Sequence, residues 1–244
     1  MIENPPVLTI TRGHRRPGPA LIDAFRGAQT SHIADAMGGR GAIDWRIKPL
    51  DPENASFAGP ALTAHSYPAD ILGMIAAVTE AEPGDVIMCA NDAYTGTAVV
   101  GDLTAGMMRN KGIAAFVTDG LARDRAGIVA TGLPLFAMGI SPNSPAKNGP
   151  GQVGAPIVLG GVQVCSGDIV VGDADGVVVV PLAEADAVLA RLHTVRAAEE
   201  SAAAKVKGGA TNSPSWDQIL GQAHIVKKAD VWPSDDDENR RRRT

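Results

Sequence analysis

The chain has 244 residues, with 22 Lys and Arg residues against 27 Asp and Glu residues, so its formal net charge is -5. A chain of this length buries roughly 70% of its unfolded surface. Its composition, 45% apolar and 20% charged, excludes general disorder and collagen-like repeats. The negative charge argues against nucleic acid as the main partner, because phosphate binding requires a basic face. A small anionic substrate remains compatible with it, since a single arginine creates a local anion site.

The N-terminal residues and the two cysteines indicate the cellular setting. The first residues lack the charged and then apolar pattern of a signal peptide, and no stretch approaches the roughly 18 uninterrupted apolar residues of a membrane span. Cys89 and Cys165 lie in apolar runs and are too few for a disulfide framework, so we expect two buried thiols. The sequence thus predicts a cytoplasmic protein with no membrane association.

The first half of the chain alternates apolar strands, turns and helices, which predicts an α/β core. Ser31 and Asp70 are expected to cap helices, and Gly112 is expected to end one. The predicted helices are residues 21–25, 31–37, 71–82 and 102–111, and the predicted strands are residues 57–66, 86–90 and 113–118.

The second half changes character and contains shorter elements. Residues 140–156 are rich in Pro, Gly, Asn and Ser and predict a long ordered loop. Short strands are predicted at residues 157–159, 162–165, 169–172 and 177–180, and Asp175-Gly176 predicts a hairpin between the last two. A long helix over 182–207 and a weakly structured stretch over 211–232 follow. We predict one domain over residues 1–232 with a C-terminal helix extension, and a disordered charged tail over 233–244.

A candidate anion site lies where Gly101-Asp102 opens a predicted helix after a turn-rich stretch. The first amides of a helix have no partner within it and, with the helix dipole, attract anions. Leu103 and Thr104 would present such amides to a carboxylate. The alternative is that Asp102 is only an N-cap residue.

A second candidate is the run Thr118-Asp119-Gly120-Leu121-Ala122-Arg123-Asp124, which follows a predicted strand. Open α/β sheets place ligands at the carboxyl ends of their strands. Arg123 has the planar fork that grips a carboxylate, and Asp124 has the hard oxygens that Mg²⁺ or Mn²⁺ prefers. An internal ion pair or a surface turn is the alternative.

The long predicted helix carries a third candidate, Glu199. This carboxylate falls on an apolar stripe, where it must find a cation, a hydrogen-bond donor or water. Glu200 points elsewhere on the same helix. The alternative is that the helix has frayed or protrudes by this point. The stripe is formed by Val188, Leu192, Val195, Ala202 and Val206.

These motifs together resemble the RraA-like family over about residues 30–199. The histidines show no zinc-ligand spacing, and no nucleophile elbow, P-loop or strand-linked dinucleotide motif is present in the sequence. The resemblance is carried by Gly101-Asp102-Leu103, Thr118-Asp119-Gly120 with Arg123-Asp124, Ser144-Pro145-Ala146-Lys147 with Gly149-Pro150-Gly151, Gly160-Gly161-Val162, Gly167-Asp168-Ile169-Val170 and Asp173-Ala174-Asp175-Gly176-Val177 through Pro181.

The resemblance implies a compact β/β/α fold of the swivelling, phosphohistidine-domain-like type, assembled as a homotrimer or homohexamer with its active site between subunits. Asp124 would match the metal-binding residue for Mg²⁺ or Mn²⁺, and Arg123 the arginine that grips the substrate. Asp102 would match the acid that orients a metal-bound water. Gly101, Leu103 and Thr104 would form the pyruvyl-binding segment. Glu199 would match a catalytic carboxylate brought in by the neighbouring subunit.

The family includes metal-dependent aldolases, which act on 4-hydroxy-4-methyl-2-oxoglutarate and 4-carboxy-4-hydroxy-2-oxoadipate in aromatic-compound catabolism. We therefore expect a carbon–carbon lyase that releases pyruvate from a small anionic oxo acid, with oxaloacetate decarboxylation as a side activity. A divalent metal would hold the enolate charge as a Lewis acid, since Lys111, Lys147 and Lys205 have no evident Schiff-base role. The alternatives are a related oxo-acid lyase, decarboxylase or tautomerase, and a non-catalytic regulator of an RNA-degrading endonuclease.

Overall fold

A computed structural model describes residues 7–226 of the chain. Its strands are β1 (Leu8–Ile10), β2 (Lys48–Pro49), β3 (Phe57–Ser66), β4 (Val86–Ala90), β5 (Ala98–Val100), β6 (Ala115–Thr118), β7 (Leu121–Ala122), β8 (Leu135–Ala137), β9 (Gly139–Ile140), β10 (Gly151–Val153), β11 (Ile157–Leu159), β12 (Val162–Val164), β13 (Ile169–Asp173) and β14 (Gly176–Val180). Its α-helices are α1 (Pro19–Phe25), α2 (Thr30–Ala36), α3 (Leu72–Glu80), α4 (Asp102–Asn110), α5 (Arg125–Thr131), α6 (Ala185–Lys207) and α7 (Pro214–Gln222), with short 3-10 turns at Pro52–Asn54 and Leu182–Glu184.

The longest strand, β3, organises a nine-stranded mixed sheet within the described residues. It pairs in parallel with β4 on one side, and β4, β6 and β8 continue the sheet in parallel. On its other side, the first half of β3 pairs antiparallel with β13 of the β13–β14 hairpin and its second half pairs antiparallel with β10. Almost every residue of β3 is buried, which explains its nearly continuous small and apolar sequence.

Residues of β4 alternate between two apolar layers, as the two-residue period of a strand requires. Ile87 and Cys89 pack in the layer beneath helices α3, α4 and α5, whereas Val86 and Met88 pack in the layer that contains the β11–β12 hairpin. A third layer lies between the β13–β14 hairpin and helices α1, α2 and the first part of α6, around Phe25. Both faces of the central strands are therefore covered, which accounts for their uninterrupted apolar runs.

A small parallel sheet of three short strands, β5-β7-β9, lies apart from the main sheet. Each of its strands ends at a segment that the sequence analysis singled out: Gly101 after β5, Arg123 after β7 and the Pro- and Gly-rich loop after β9. Because the strands are parallel, these three ends meet at one edge.

The chain divides into two compact units, one ending at Ala197 and the other beginning at Ala198, inside helix α6. This boundary falls within residues 1–232, for which the sequence predicts one domain. The predicted disordered tail over 233–244 lies outside the described residues. No helix within 7–226 is long and apolar enough to cross a membrane.

The α/β fold class is confirmed, and the predicted bounds of β3 and β4 are those observed. Several local predictions were wrong. Helix α2 begins at Thr30 without a side-chain cap from Ser31, the predicted loop over 140–156 contains β10, and the stretch predicted to be weakly structured contains α7. Cys89 is buried as expected, but Cys165 is only partly buried.

Candidate functional site

The candidate site lies where β5 and β7 end side by side. The two strands pair in parallel, with Val100 opposite Ala122, and the Arg123 amide donates to the Val100 carbonyl at 2.9 Å. One residue, Gly101, separates β5 from helix α4, and two residues, Arg123 and Asp124, separate β7 from helix α5. The pairing therefore brings the Gly101 and Arg123 segments together although they are far apart in the sequence.

Gly101 leaves space that Arg123 and Asp124 occupy. A Cβ atom built on Gly101 would lie 3.0 Å from Arg123 Nε and 3.0 Å from Asp124 Oδ2, closer than ordinary contact. The backbone of Gly101 is extended, so the requirement for glycine here is one of space and not of conformation. Any side chain at this position would displace the guanidinium or the carboxylate.

Arg123 and Asp124 form an ion pair with 3.3 Å between Nε and Oδ2. The ion pair that the sequence left open as an alternative is thus present. Both groups remain accessible to solvent, since the Arg123 and Asp124 side chains are 39% and 45% exposed. Arg123 also donates from Nη1 to Ser144 Oγ at 2.8 Å. Asp124 adopts a left-handed backbone with a φ of 58°, an unusual conformation for a residue with a side chain.

Asp102 is the first residue of helix α4, with Gly101 in the N-cap position. The alternative that Asp102 is the N-cap residue is therefore wrong, although its Oδ1 accepts the Leu103 amide at 2.7 Å, so that amide already has a partner. The Thr104 amide lies in the first turn, where a helix supplies no carbonyl partner. The Asp102 carboxylate packs against Gly127 of α5, where a built Cβ would lie 2.5 Å from Oδ2.

A cavity of about 470 Å³ opens in front of these groups. Its lining includes every predicted substrate-binding residue. Leu103 and Met107 border it with strongly exposed apolar side chains. The lining residues are Ile71, Ala98, Val99, Val100, Gly101, Asp102, Leu103, Thr104, Met107, Arg123, Ser144, Pro145 and Lys147.

Lys147 and Ser144 also line the cavity, although the sequence pattern indicated no chemical role for either. Both lie on the loop that follows β9, between residues 141 and 150. The available signal was the position of polar residues directly after a parallel strand, but β9 has only two residues and shows no period of its own. Lys147 adds a second cation to a cavity that already contains Arg123.

Asp119, in the same motif as Arg123, is a buried support and does not line the cavity. It accepts the Asn91 amide at 2.6 Å and the Ala93 amide at 3.1 Å, which holds the left-handed residues Asp92 and Ala93. Burial raises the pKa of the Asp119 carboxyl above its ordinary value, although these two hydrogen bonds oppose the shift. The carboxylate thus fixes the loop that leads from β4 towards β5.

Glu199 is exposed and belongs to the second unit of the chain. The apolar stripe on which it was predicted is buried only at Val188 and Leu192, while Val206 is 67% exposed. The prediction that Glu199 completes the site of a neighbouring subunit therefore stays a prediction.

The residues fit a divalent cation held mainly by Asp124. Among residues 7–226, no group of three or more His, Cys, Asp or Glu side chains is arranged around a common metal position. A cation here would draw its remaining ligands from water and substrate, which suits Mg²⁺, since Mg²⁺ keeps several waters and binds through one or two carboxylates. Asp124 Oδ2 lies against Gly101 and Arg123, and the side chain as a whole is 45% exposed, so its carboxylate is accessible.

Comparison with known proteins places this chain in the RraA-like family. The family described as RraA-like, Aldolase/RraA, matches residues 30–179, a range that contains the cavity-lining residues and Asp124 but not Glu199. The chain belongs to this family.

Among the individual relatives, one is named as an aldolase and another is described as a member of an inhibitor family. A protein of Halalkalibacterium halodurans named "Putative 4-hydroxy-4-methyl-2-oxoglutarate aldolase" is 38% identical over 181 residues, which cover 74% of this chain and 86% of that protein. An uncharacterized protein from Pseudomonas syringae matches with a TM-score of 0.71 and 27% identity, covering 81% of this chain and 97% of that one. RraAS2 of Streptomyces coelicolor, described as an unusual member of the RNase ES inhibitor RraA protein family, matches with a TM-score of 0.70 and 26% identity over 78% of this chain and all of that one.

Proposed function

We propose that the protein is a divalent-metal-dependent pyruvate aldolase. It cleaves a 4-hydroxy-2-oxo dicarboxylic or tricarboxylic acid into pyruvate and a second oxo acid. The observation that carries the proposal is that Arg123 and Asp102 line one cavity together with Gly101, while Asp124 lies directly behind, against Gly101 and paired with Arg123. The aldolase-named relative supports the same reaction class.

The reaction breaks the C3–C4 bond of the substrate and leaves its electron pair on the pyruvyl fragment as an enolate. The C4 hydroxyl must lose a proton as this bond breaks, and C3 must gain one to give pyruvate. Arg123 meets the developing oxyanion, because it lines the cavity and its side chain is 39% exposed. Ser144 accepts from Nη1 of that guanidinium at 2.8 Å and Asp124 faces its Nε, which leaves Nη2 for the substrate.

Asp102 is the proton-transfer group of the proposed site. Its carboxylate lies at the cavity edge, with Oδ1 held by the Leu103 amide and Oδ2 against Gly127. This fixed position suits proton exchange with the C4 hydroxyl or the enolate, directly or through one water. A divalent cation at Asp124 would supply Lewis-acid stabilisation of the enolate.

The substrate's carboxylates have two places to bind. The Thr104 amide at the start of α4 suits the pyruvyl carboxylate, since the helix dipole adds to its attraction. Lys147, on the loop that borders the cavity, suits the carboxylate at the far end of the substrate. This division explains how a chain with a net charge of -5 accepts a di- or tri-anion: the relevant charges are local.

Oxaloacetate decarboxylation belongs to the same proposal, because loss of carbon dioxide from oxaloacetate leaves the same pyruvate enolate. A homotrimer or homohexamer, with Glu199 reaching a neighbour's site, is part of the proposal as well. Sedimentation measures the oligomeric state, and the activity of Glu199→Gln tests whether this carboxylate takes part in the reaction.

The test is pyruvate release from a panel of 4-hydroxy-2-oxo acids, with Mg²⁺, with Mn²⁺ and with chelator. Arg123→Ala should lower kcat/KM by about 10² to 10³, the typical effect of removing one oxyanion-stabilising donor. Arg109→Ala is the matched control, since it removes a guanidinium from the last turn of α4, away from the cavity lining. Release undiminished by chelator would exclude the metal-dependent mechanism.

The second candidate is a protein-binding regulator, which the inhibitor-named structural relative favours. It predicts no lyase activity on any acid of the panel and retention of an RNA-degrading endonuclease in a pull-down. That combination would replace the aldolase proposal.

A further inference from the structure

The loop over residues 141–150 has to hold Lys147 and Ser144 against the cavity, although it contains no regular element. Hydrogen bonds to another segment fix both neighbours of Lys147. The Ala146 amide donates to the Ala69 carbonyl at 2.7 Å, and the Ile71 amide donates to the Ala146 carbonyl at 3.1 Å. The Asn148 amide donates to Asp70 Oδ2 at 2.6 Å.

Asp70 joins this loop to helix α3. Its second oxygen, Oδ1, accepts the Leu72 amide at 2.7 Å, at the first turn of the helix. The residue is only 4% exposed. A buried carboxylate without partners is strongly unfavourable, so these amides and the positive end of the α3 dipole are what keep it there.

The turn that carries Asp70 is itself fixed from the side of the main sheet. Asn91 donates from Nδ2 to the Ser66 carbonyl at 3.0 Å and to the Tyr67 carbonyl at 2.9 Å. Asn91 is held in turn by Asp119. A continuous set of hydrogen bonds therefore runs from the carboxyl ends of β4 and β6, through Asp70, to the two residues that flank Lys147.

We propose that Asp70 is a positioning residue that fixes Lys147 for the distal carboxylate of the substrate. The inference rests on the proposed function for the identity of the substrate. Helix capping alone would need one oxygen of Asp70, whereas both oxygens are used and one of them binds the loop. Asp70 therefore sets the selectivity for di- and tricarboxylic acids, and it touches neither the pyruvyl unit nor the reacting bond.

The experiment is a double-mutant cycle between Asp70→Asn and Lys147→Ala. Asparagine keeps the size of the side chain but replaces one oxygen with an amide group, which sets a donor against the Leu72 or the Asn148 amide. With a 4-hydroxy-2-oxo diacid, Asp70→Asn should raise KM about tenfold with a smaller change in kcat, because a lost charge-assisted contact of this kind is worth roughly that factor. In the Lys147→Ala background the same substitution should have no further effect on KM.

Controls separate positioning from a general loss of structure. Asp51→Asn changes another capping aspartate, whose partner, the Glu53 amide, is not a lining residue, and it should leave KM unchanged. Asn148→Pro removes the same hydrogen bond from the donor side and leaves Asp70 Oδ1 free to accept the Leu72 amide. It should reproduce the KM effect if Asp70→Asn proves unstable. With a monocarboxylic 4-hydroxy-2-oxo acid as substrate, Asp70→Asn, Lys147→Ala and Asn148→Pro should each change KM only weakly.

Hydrogen exchange of the peptide that contains Asn148 gives a readout independent of activity. Its exchange should accelerate in Asp70→Asn and remain unchanged in Asp51→Asn. Additive effects of Asp70→Asn and Lys147→Ala on KM, or a loss confined to kcat, would overturn the inference while the aldolase function stands. Unchanged exchange at Asn148 would overturn it as well. A wild-type protein without lyase activity would overturn the proposed function, whereas the exchange data would still report whether Asp70 holds the loop.

Discussion

Gly127 in the middle of α5 is the position where a single methyl group should most directly disturb the candidate site. A Cβ built there lies 2.5 Å from Asp102 Oδ2 and 2.6 Å from Asp102 Cβ. Ordinary contact begins near 3.4 Å. Rotation of the carboxylate relieves only the first overlap, because the Asp102 Cβ is fixed to the backbone of α4. Helices α4 and α5 would therefore have to separate by the better part of an ångström.

Two opposing effects determine how much Gly127→Ala changes the free energy of unfolding. Alanine gains about 1 kcal/mol of helix propensity over glycine, whereas overpacking between two helices costs about 1–3 kcal/mol. We expect a net loss of stability of about 0–2 kcal/mol from these two terms. Displacement of Asp102 should cost more in activity, since a misplacement of about 1 Å can lower a rate by roughly 10².

Gly106→Ala is the matched control, because Gly106 also lies inside a helix of this site. A Cβ there meets only Thr131 Cγ2, at 3.9 Å, which is ordinary contact. This variant should gain stability and retain activity. The assays are urea unfolding and pyruvate release per folded molecule. Wild-type activity in Gly127→Ala, with a stability gain like that of Gly106→Ala, would refute the assignment of Asp102 to a tightly packed position.

Two further predictions concern stability. Asp85 is buried and accepts both Arg16 Nη2 at 2.6 Å and the Glu82 amide at 2.8 Å, so Asp85→Ala should cost about 1–3 kcal/mol in urea unfolding. Glu80→Ala removes an ion pair made by an exposed arginine, so it should cost under about 1 kcal/mol. Equal losses of unfolding free energy in the two variants would contradict the expectation that the buried contact matters more. Burial raises the pKa of the Cys89 thiol to about 12, so the folded protein retains a proton that the unfolded chain releases above about pH 9. Cys89 should therefore not affect the free energy of unfolding below that pH. Between pH 9 and 12 the free energy of unfolding should fall, and it should fall less steeply in Cys89→Ala. In the native protein, Cys89 should also resist alkylation at pH 8.

The sequence by itself determined the bounds of an element where a pattern extended over several residues. The continuous apolar runs of β3 and β4 predicted their bounds, because strands covered on both faces admit few polar residues. The helix start at Gly101-Asp102 and the pair Arg123-Asp124 were likewise identified from local chemistry and from a recognisable set of motifs. The rule that ligands bind at the carboxyl ends of parallel strands indicated the Arg123-Asp124 run as a binding segment, but it did not predict that this run meets Gly101-Asp102.

Only the tertiary structure decided which distant groups meet. Strands of two or three residues, such as β7 and β9, have no period to detect, so the sheet that assembles the site was invisible in the sequence. Lys147 appeared to have no role because its place depends on hydrogen bonds that its neighbours donate to the Ala69 carbonyl and the Asp70 carboxylate, over seventy residues away. Gly127 appeared to be an ordinary glycine until α5 packed against Asp102. Local propensity acts over a few residues, whereas a site of this kind depends on contacts between segments that only the folded chain brings together.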